Sequence, residues 1–263
     1  GMSAAFAALF GTPMAAALFP MEVISVGIMY YAALVPCVFS ACIGEHISVL
    51  MGVRTLTAPY PVEEVPKFYG IAWGKAILLA ICFAFAGALF CVMLHIFEKQ
   101  LKKWFQNPYL RVFVGGVTVV LLWKITGTDT YLGLGGGTIA QSFAESQKLW
   151  VFLLKILFTC ITLCSGFKGG EIVPSLFIGA TFGSALAPIF GMPVDICAAC
   201  GMVGVFCAVT NSPISSLLIA FELFGFAGMP YFCTVIAVSY LLSGYQSLYK
   251  AQKIVYSKTE NKY

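Results

Sequence analysis

Between Glu171 and Lys250 the chain carries only two charged residues, Asp195 and Glu222. The runs 172–194, 196–221 and 223–249 contain no Asp, Glu, Lys or Arg. Uncharged apolar stretches of about 18 residues or more are long enough to cross a bilayer as helices. In hydrocarbon the backbone must satisfy its own hydrogen bonds, so a chain made of such stretches folds as helices packed on helices. The whole composition agrees: 60% of residues are hydrophobic and 10% charged, against roughly 25% charged in soluble domains. A helix lying flat in the membrane surface needs far less apolar sequence than this. The expected fold class is an all-α, multi-pass membrane protein.

The apolar runs are not uniform. Residues 1–23 and 201–223 align without gaps at an offset of 200, with identities at Gly1/Gly201, Met2/Met202, Phe6/Phe206, Ala8/Ala208, Pro13/Pro213, Leu18/Leu218 and Glu22/Glu222. Each copy reads as a helix, a break before proline, and a short second helix that ends on a glutamate. Weak similarity between distant segments is the mark of a transporter built from structural repeats. Ionisable residues inside a membrane are functional candidates, but for Glu22 and Glu222 a structural role at helix ends is favoured. Short helices broken by Gly and Pro are tolerated where protein or a cavity surrounds the broken ends, as in an ion pathway assembled from helix termini.

The stretch Gly166-Phe167-Lys168-Gly169-Gly170-Glu171-Ile172-Val173-Pro174 has that form. Glycines let backbone approach a ligand closely. Pro174 fits the first turn of a helix, where its missing N–H costs nothing. Gly179 and Gly183 then lie four apart, giving a face on which a second helix can come close. A glycine-rich turn feeding a helix N-terminus presents free N–H groups and the positive end of the helix dipole, which favour an anion.

These residues resemble the G-x-F-x-P segment of CLC chloride channels and transporters. Gly170 and Pro174 stand at its fixed positions, and Ile172 where Phe is usual. Glu171 is similar to the branch that exports fluoride in exchange for protons, although Val173 is apolar where that branch often has threonine. The resemblance implies a CLC-like inverted-repeat bundle of tilted and broken helices, truncated at the N-terminus ahead of the gating motif. Residues 1–51 would end the first repeat. Residues 52–243 would form the second, with the anion-site loop at 166–174. Residues 244–263 would form a final helix and a cytoplasmic tail. The backbone N–H groups at Gly170, Glu171 and Ile172 would face a halide, with Gly169, Val173 and Pro174 completing the motif. Tyr249, or alternatively Tyr245, would donate a hydroxyl. Glu171 would couple anion movement to protons, or else cap its own helix and face away. Val23, after Glu22, replaces the proton-relay glutamate of the chloride/proton exchangers.

The resemblance further implies transmembrane transport of chloride or fluoride, with H+ as a second partner. It also implies a homodimer in membrane lipid, joined through 13–50 and 213–243. The alternatives are a passive voltage-dependent chloride channel and a non-conducting scaffold. The basic residues cluster at Lys99, Lys102, Lys103 and Arg111, read as one connection, and at Lys250, Lys253, Lys258 and Lys262. Both groups point to the cytoplasm, which places the C-terminus there in a bacterial plasma membrane and gives no case for nucleic acid. Neither metal nor cofactor is expected: Cys197-Ala-Ala-Cys200 has no second Cys pair or His near it. The run Gly133-Leu134-Gly135-Gly136-Gly137 matches no nucleotide-binding pattern and reads as structure, with Asp129 a turn residue. Lys75 reads as a snorkelling lysine. Two scattered histidines argue against an enzyme.

Overall fold

The computed structural model describes residues 1–53, 62, 65–249, 251–255 and 258. Glu63, Glu64, Lys250 and Lys262 lie outside them. Eleven α-helices account for nearly all regular structure among the described residues: α1 Met2–Phe10, α2 Pro13–Val23, α3 Leu34–Leu50, α4 Ile71–Trp104, α5 Pro108–Thr126, α6 Gly136–Ala144, α7 Trp150–Ser165, α8 Ile172–Phe190, α9 Val194–Thr210, α10 Pro213–Phe224 and α11 Met229–Leu242. Among the described residues, four stretches are long and apolar enough to span a membrane: Tyr31–Leu50, Ile71–Trp104, Pro108–Thr126 and Ile172–Phe190. The others are short, as broken membrane helices are.

α8 and α9 form the centre, and almost every residue of both is buried. Glycine sets their separation. A Cβ on Gly179 would overlap the Gly201 carbonyl, one on Gly183 the Cys197 carbonyl, and one on Gly201 the Gly179 carbonyl. The two backbones therefore touch, and dispersion between close helices is a main source of stability where lipid competes for apolar contact. α4 and α7 pack around this pair. α3 and α5 lie outermost, with Phe39, Ile43, Phe113 and Val120 exposed. The basic cluster differs from expectation. α4 runs on to Trp104, so Lys99, Lys102 and Lys103 form the end of a helix, and only 105–107 connect it to α5. Lysines are favourable there, at the negative end of the helix dipole.

The two aligned segments share backbone as well as sequence. α1 ends in left-handed Gly11 (φ 67°, ψ 31°), and α9 in left-handed Asn211 (φ 57°, ψ 35°). Thr12 and Ser212 follow at φ −124° and −120°, and Pro13 and Pro213 open the next helices. The glutamates that close those helices are exchanged. Glu22 accepts from the N–H groups of Ile214 (2.9 Å) and Ser215 (2.8 Å) and from the Ser215 hydroxyl (2.6 Å). Glu222 accepts from the N–H groups of Met14 and Ala15, both at 2.9 Å. Each acid near one C-terminus caps the other N-terminus, so α2 and α10 are antiparallel. A carboxylate at a helix N-terminus satisfies orphan donors and the dipole together. The local caps are thereby displaced: the buried Thr12 hydroxyl has no hydrogen-bond partner. Glu22 and Glu222 thus have the structural role favoured from sequence.

The chain end departs from expectation. No helix begins after α11 among the described residues. Gly244 turns the chain at φ 63°, and the Leu248 N–H donates to the Val209 carbonyl. Lys253–Ile254 (β2) then pairs in parallel with Ser25–Val26 (β1). Gln252 donates to the carbonyls of Val23 and Thr210, which draws this segment away from helical geometry. Burial against Asn211, Tyr240 and Ser243 lowers the pKa of Lys258 in the tail to about 8.

Candidate functional site

α7 ends at Gly166, whose φ of 110° suits glycine alone. The loop returns through Gly169 and Gly170, and Glu171 takes the N-cap position of α8 (φ −93°, ψ −18°). No side-chain capping hydrogen bond forms there. Ile172 and Val173 open the helix, so their N–H groups have no carbonyl on a preceding turn. Pro174 has no N–H, and the first backbone bond of the helix runs from Ser175 to the Glu171 carbonyl at 3.2 Å. At the opposite end, Lys75 donates to the Gly191 carbonyl at 3.4 Å, a cation at the negative pole of α8.

The N-terminus of α8 opens on a cavity of about 890 Å³. Gly169, Gly170, Glu171, Ile172 and Val173 line one side, and Tyr249 lines another. Phe6 and Phe10 of α1 supply an apolar wall. Glu98 and Lys102 of α4 and Arg111 of α5 contribute charges to it, with Lys102 bonded to Glu98 at 2.6 Å. Tyr249 lies beyond α11 and is half-buried. The structure thus gathers the residues singled out in the loop and the later tyrosine around one space. Tyr245, the alternative, is 53% exposed and stands apart from this lining.

A second cavity of about 310 Å³ lies behind the loop and shares Leu163, Gly169 and Gly170 with the first. Pro174 and Lys155 line it. Sequence reasoning passed over Lys155 as a lone charge in an apolar helix. It also read Lys102 and Arg111 only as topology determinants. Their one sequence-level signal was charge at positions that the fold turns toward the loop. Asp129 is a turn residue as expected, accepting from the Trp123 indole N–H at 2.6 Å.

Comparison with known proteins assigns this fold to a family. The model of the voltage gated chloride channel family matches residues 1–244. The chain belongs to the voltage-gated chloride channel family. Within that family it is 37% identical, over 98% of its length, to a chloride/fluoride channel protein of Pseudomonas syringae pv. tomato. It superposes on the crystal structure of a CLC-type fluoride/proton antiporter with a TM-score of 0.92, at 33% identity over 97% of the chain. A slow cyanobacterial Cl−/H+ antiporter shares the fold at a TM-score of 0.74 and 20% identity over 92% of the chain. The chain spans 58% of the length of the Pseudomonas relative, and 64% and 59% of the two antiporter chains. The all-α CLC bundle expected from sequence is thus the fold observed.

Proposed function

We propose that this chain forms part of a transmembrane halide pathway in which the N-terminus of α8 holds the anion and Glu171 carries a proton. The carrying observation is the joint exposure of Gly170, Glu171, Ile172 and Tyr249 on one cavity. Backbone N–H groups and a dipole end offer partial charges, which bind an anion weakly enough to release it. The Tyr249 hydroxyl adds a donor. A carboxylate at the same place repels a halide when ionised and donates to it when protonated. Anion occupancy and protonation of Glu171 therefore favour one another, which is the requirement for coupled movement. Glu171, together with the fluoride/proton antiporter and the chloride/fluoride channel protein among its relatives, supports fluoride as the halide. The basic end of α4 supports a cytoplasmic mouth for the larger cavity. The reciprocal caps support 1–51 and 52–243 as parts of two repeats, and the exposed apolar face of α3 supports a homodimer contact through 13–50.

The test is fluoride and chloride efflux from liposomes holding the whole gene product, with and without a pH gradient. Fluoride efflux that drives proton uptake is the expected result. Glu171→Gln, which cannot ionise, is expected to abolish proton uptake. Chloride efflux without proton movement would instead make this a passive channel, and a Glu171→Gln variant with full coupling would remove the carboxylate from the mechanism. Tyr249→Phe removes one donor worth about 1.5–3 kcal/mol to a charged partner, so the half-saturating halide concentration should rise roughly 12- to 150-fold. An unchanged value would take the hydroxyl out of the site.

A further inference from the structure

Tyr249 reaches the larger cavity from a segment that is not helical, so its place is fixed by other bonds. The Tyr249 N–H donates to the Ser247 hydroxyl at 3.1 Å, and the Tyr249 carbonyl accepts from the Gln252 N–H at 3.1 Å. The Gln252 side chain anchors this turn. Its amide donates to the carbonyls of Val23 (2.8 Å) and Thr210 (2.7 Å), the last residues of α2 and α9. Carbonyls at helix C-termini have no partner within the helix, so one side chain caps two helices, one from each aligned segment. The Gln252 Oε1 accepts from the Asn211 amide at 3.0 Å, and that amide also donates to the Gln246 carbonyl at 3.0 Å. The Asn211 Oδ1 accepts from the Lys258 ammonium. Each side-chain amide carries two donors and an acceptor oxygen. In Gln252 and Asn211 alike, both donors are engaged and the oxygen is occupied, which leaves one orientation for each.

We infer that Gln252 is a positioning residue, which ties the Tyr249 turn to α2 and α9 and so holds the phenol at the wall of the larger cavity. The tie stands on the geometry around Gln252, and its effect on halide rests on the function proposed above. A hydroxyl serves an anion only when distance and angle are held, because hydrogen bonds weaken steeply away from linearity. A loose turn would have to be ordered each time an ion bound, and that ordering costs affinity. Gln252 acts at both of its ends. Its side chain grips α2 and α9, and its backbone N–H grips the Tyr249 carbonyl. A shift of α2 against α9 is therefore passed to Tyr249.

Two measurements on the whole protein test this. With a ring-fluorinated tyrosine at position 249, fluorine NMR in detergent should give one narrow resonance, and Gln252→Leu should split or broaden it. A resonance identical in the two proteins would overturn the positioning. In liposomes, Gln252→Leu should raise the half-saturating fluoride concentration about tenfold or more, through loss of a fixed donor. In a Tyr249→Phe background the same change should move it by less than about twofold, since the hydroxyl that Gln252 places is already gone. An equal rise in both backgrounds would make Gln252 a general support of the fold and overturn the inference. So would a half-saturation that Tyr249→Phe shifts and Gln252→Leu does not. Should Gln252→Leu not fold, Gln252→Glu, equal in length but unable to donate to both carbonyls, gives the same two readings. A resonance split by Gln252→Leu, with half-saturation unmoved by Tyr249→Phe, would sink the halide role of Tyr249 and leave Gln252 as its anchor.

Discussion

Glu22→Ala is expected to leave little folded protein, and Glu222→Ala to leave substantially more. Glu22 is 8% exposed and serves three donors, two backbone N–H groups and the Ser215 hydroxyl. Removing it strands the N–H and hydroxyl of fully buried Ser215, while the Ile214 N–H belongs to a residue that is 48% exposed. Each unsatisfied buried donor costs about 1–3 kcal/mol, and total stabilities are only about 5–15 kcal/mol. Glu222 serves two donors, and one of them, the Met14 N–H, belongs to a residue that is 55% exposed. Solvent or lipid headgroup can replace part of what that carboxylate does. Glu22→Gln retains an acceptor but loses the charge at the α10 N-terminus, and should fall between unaltered protein and alanine. The readout is the unfolding midpoint and the monodisperse fraction in detergent. A Glu22→Ala protein as stable as the unaltered one would show that the caps do not set stability.

The second large effect is expected at the contact between α8 and α9. Gly179→Ala and Gly201→Ala each place a methyl group into the other helix's backbone carbonyl. Overpacking costs about 1–3 kcal/mol where side chains can yield, and more where they cannot. Here the obstacle is main chain, so the helices must separate along their shared face. α8 carries the glycine loop at its start, so separation also displaces the proposed anion site. Either single change should remove most folded protein, and any that folds should have lost halide movement. The double change should cost less than the sum of the singles, because one separation accommodates both methyls. Gly137→Ala is the control: a Cβ there meets nothing within 4 Å, and its stability should stay within about 0.5 kcal/mol of the unaltered protein.

Much of this was legible in the sequence, and the reasons are particular. The close approach at Gly179 and Gly183 could be read because four-residue spacing puts both glycines on one helix face. The repeat could be read because Pro13/Pro213 and Glu22/Glu222 do jobs that apolar composition cannot do. The loop from Gly169 to Pro174 showed its helix start through glycine and proline chemistry, and its fit to a known family supplied Tyr249. Three features were not legible. The basic end of α4 looked like a connection because lysines are rare in membrane helices, yet the span simply outruns the bilayer. The segment after α11 looked helical because nothing in 245–249 reveals a hydrogen bond to Val209, far back in the chain. Lys155 offered a charge and no partner, because its partners are backbone carbonyls, which every residue possesses.

The exchanged caps also impose an order of events on biosynthesis. The carboxylate of Glu22 and its acceptor-seeking donor at Ile214 are 192 residues apart. At about 5–20 residues per second, the ribosome needs roughly 10–40 s to make the intervening chain. For that interval α2 is in or at the membrane with an acid at one end and bare N–H groups at the other, and both find their partners only when α10 arrives. Those partners then arrive together, since α10 brings its own bare N-terminus and its own acid. The first segment waits half-satisfied, and one late helix completes two caps in a single docking step.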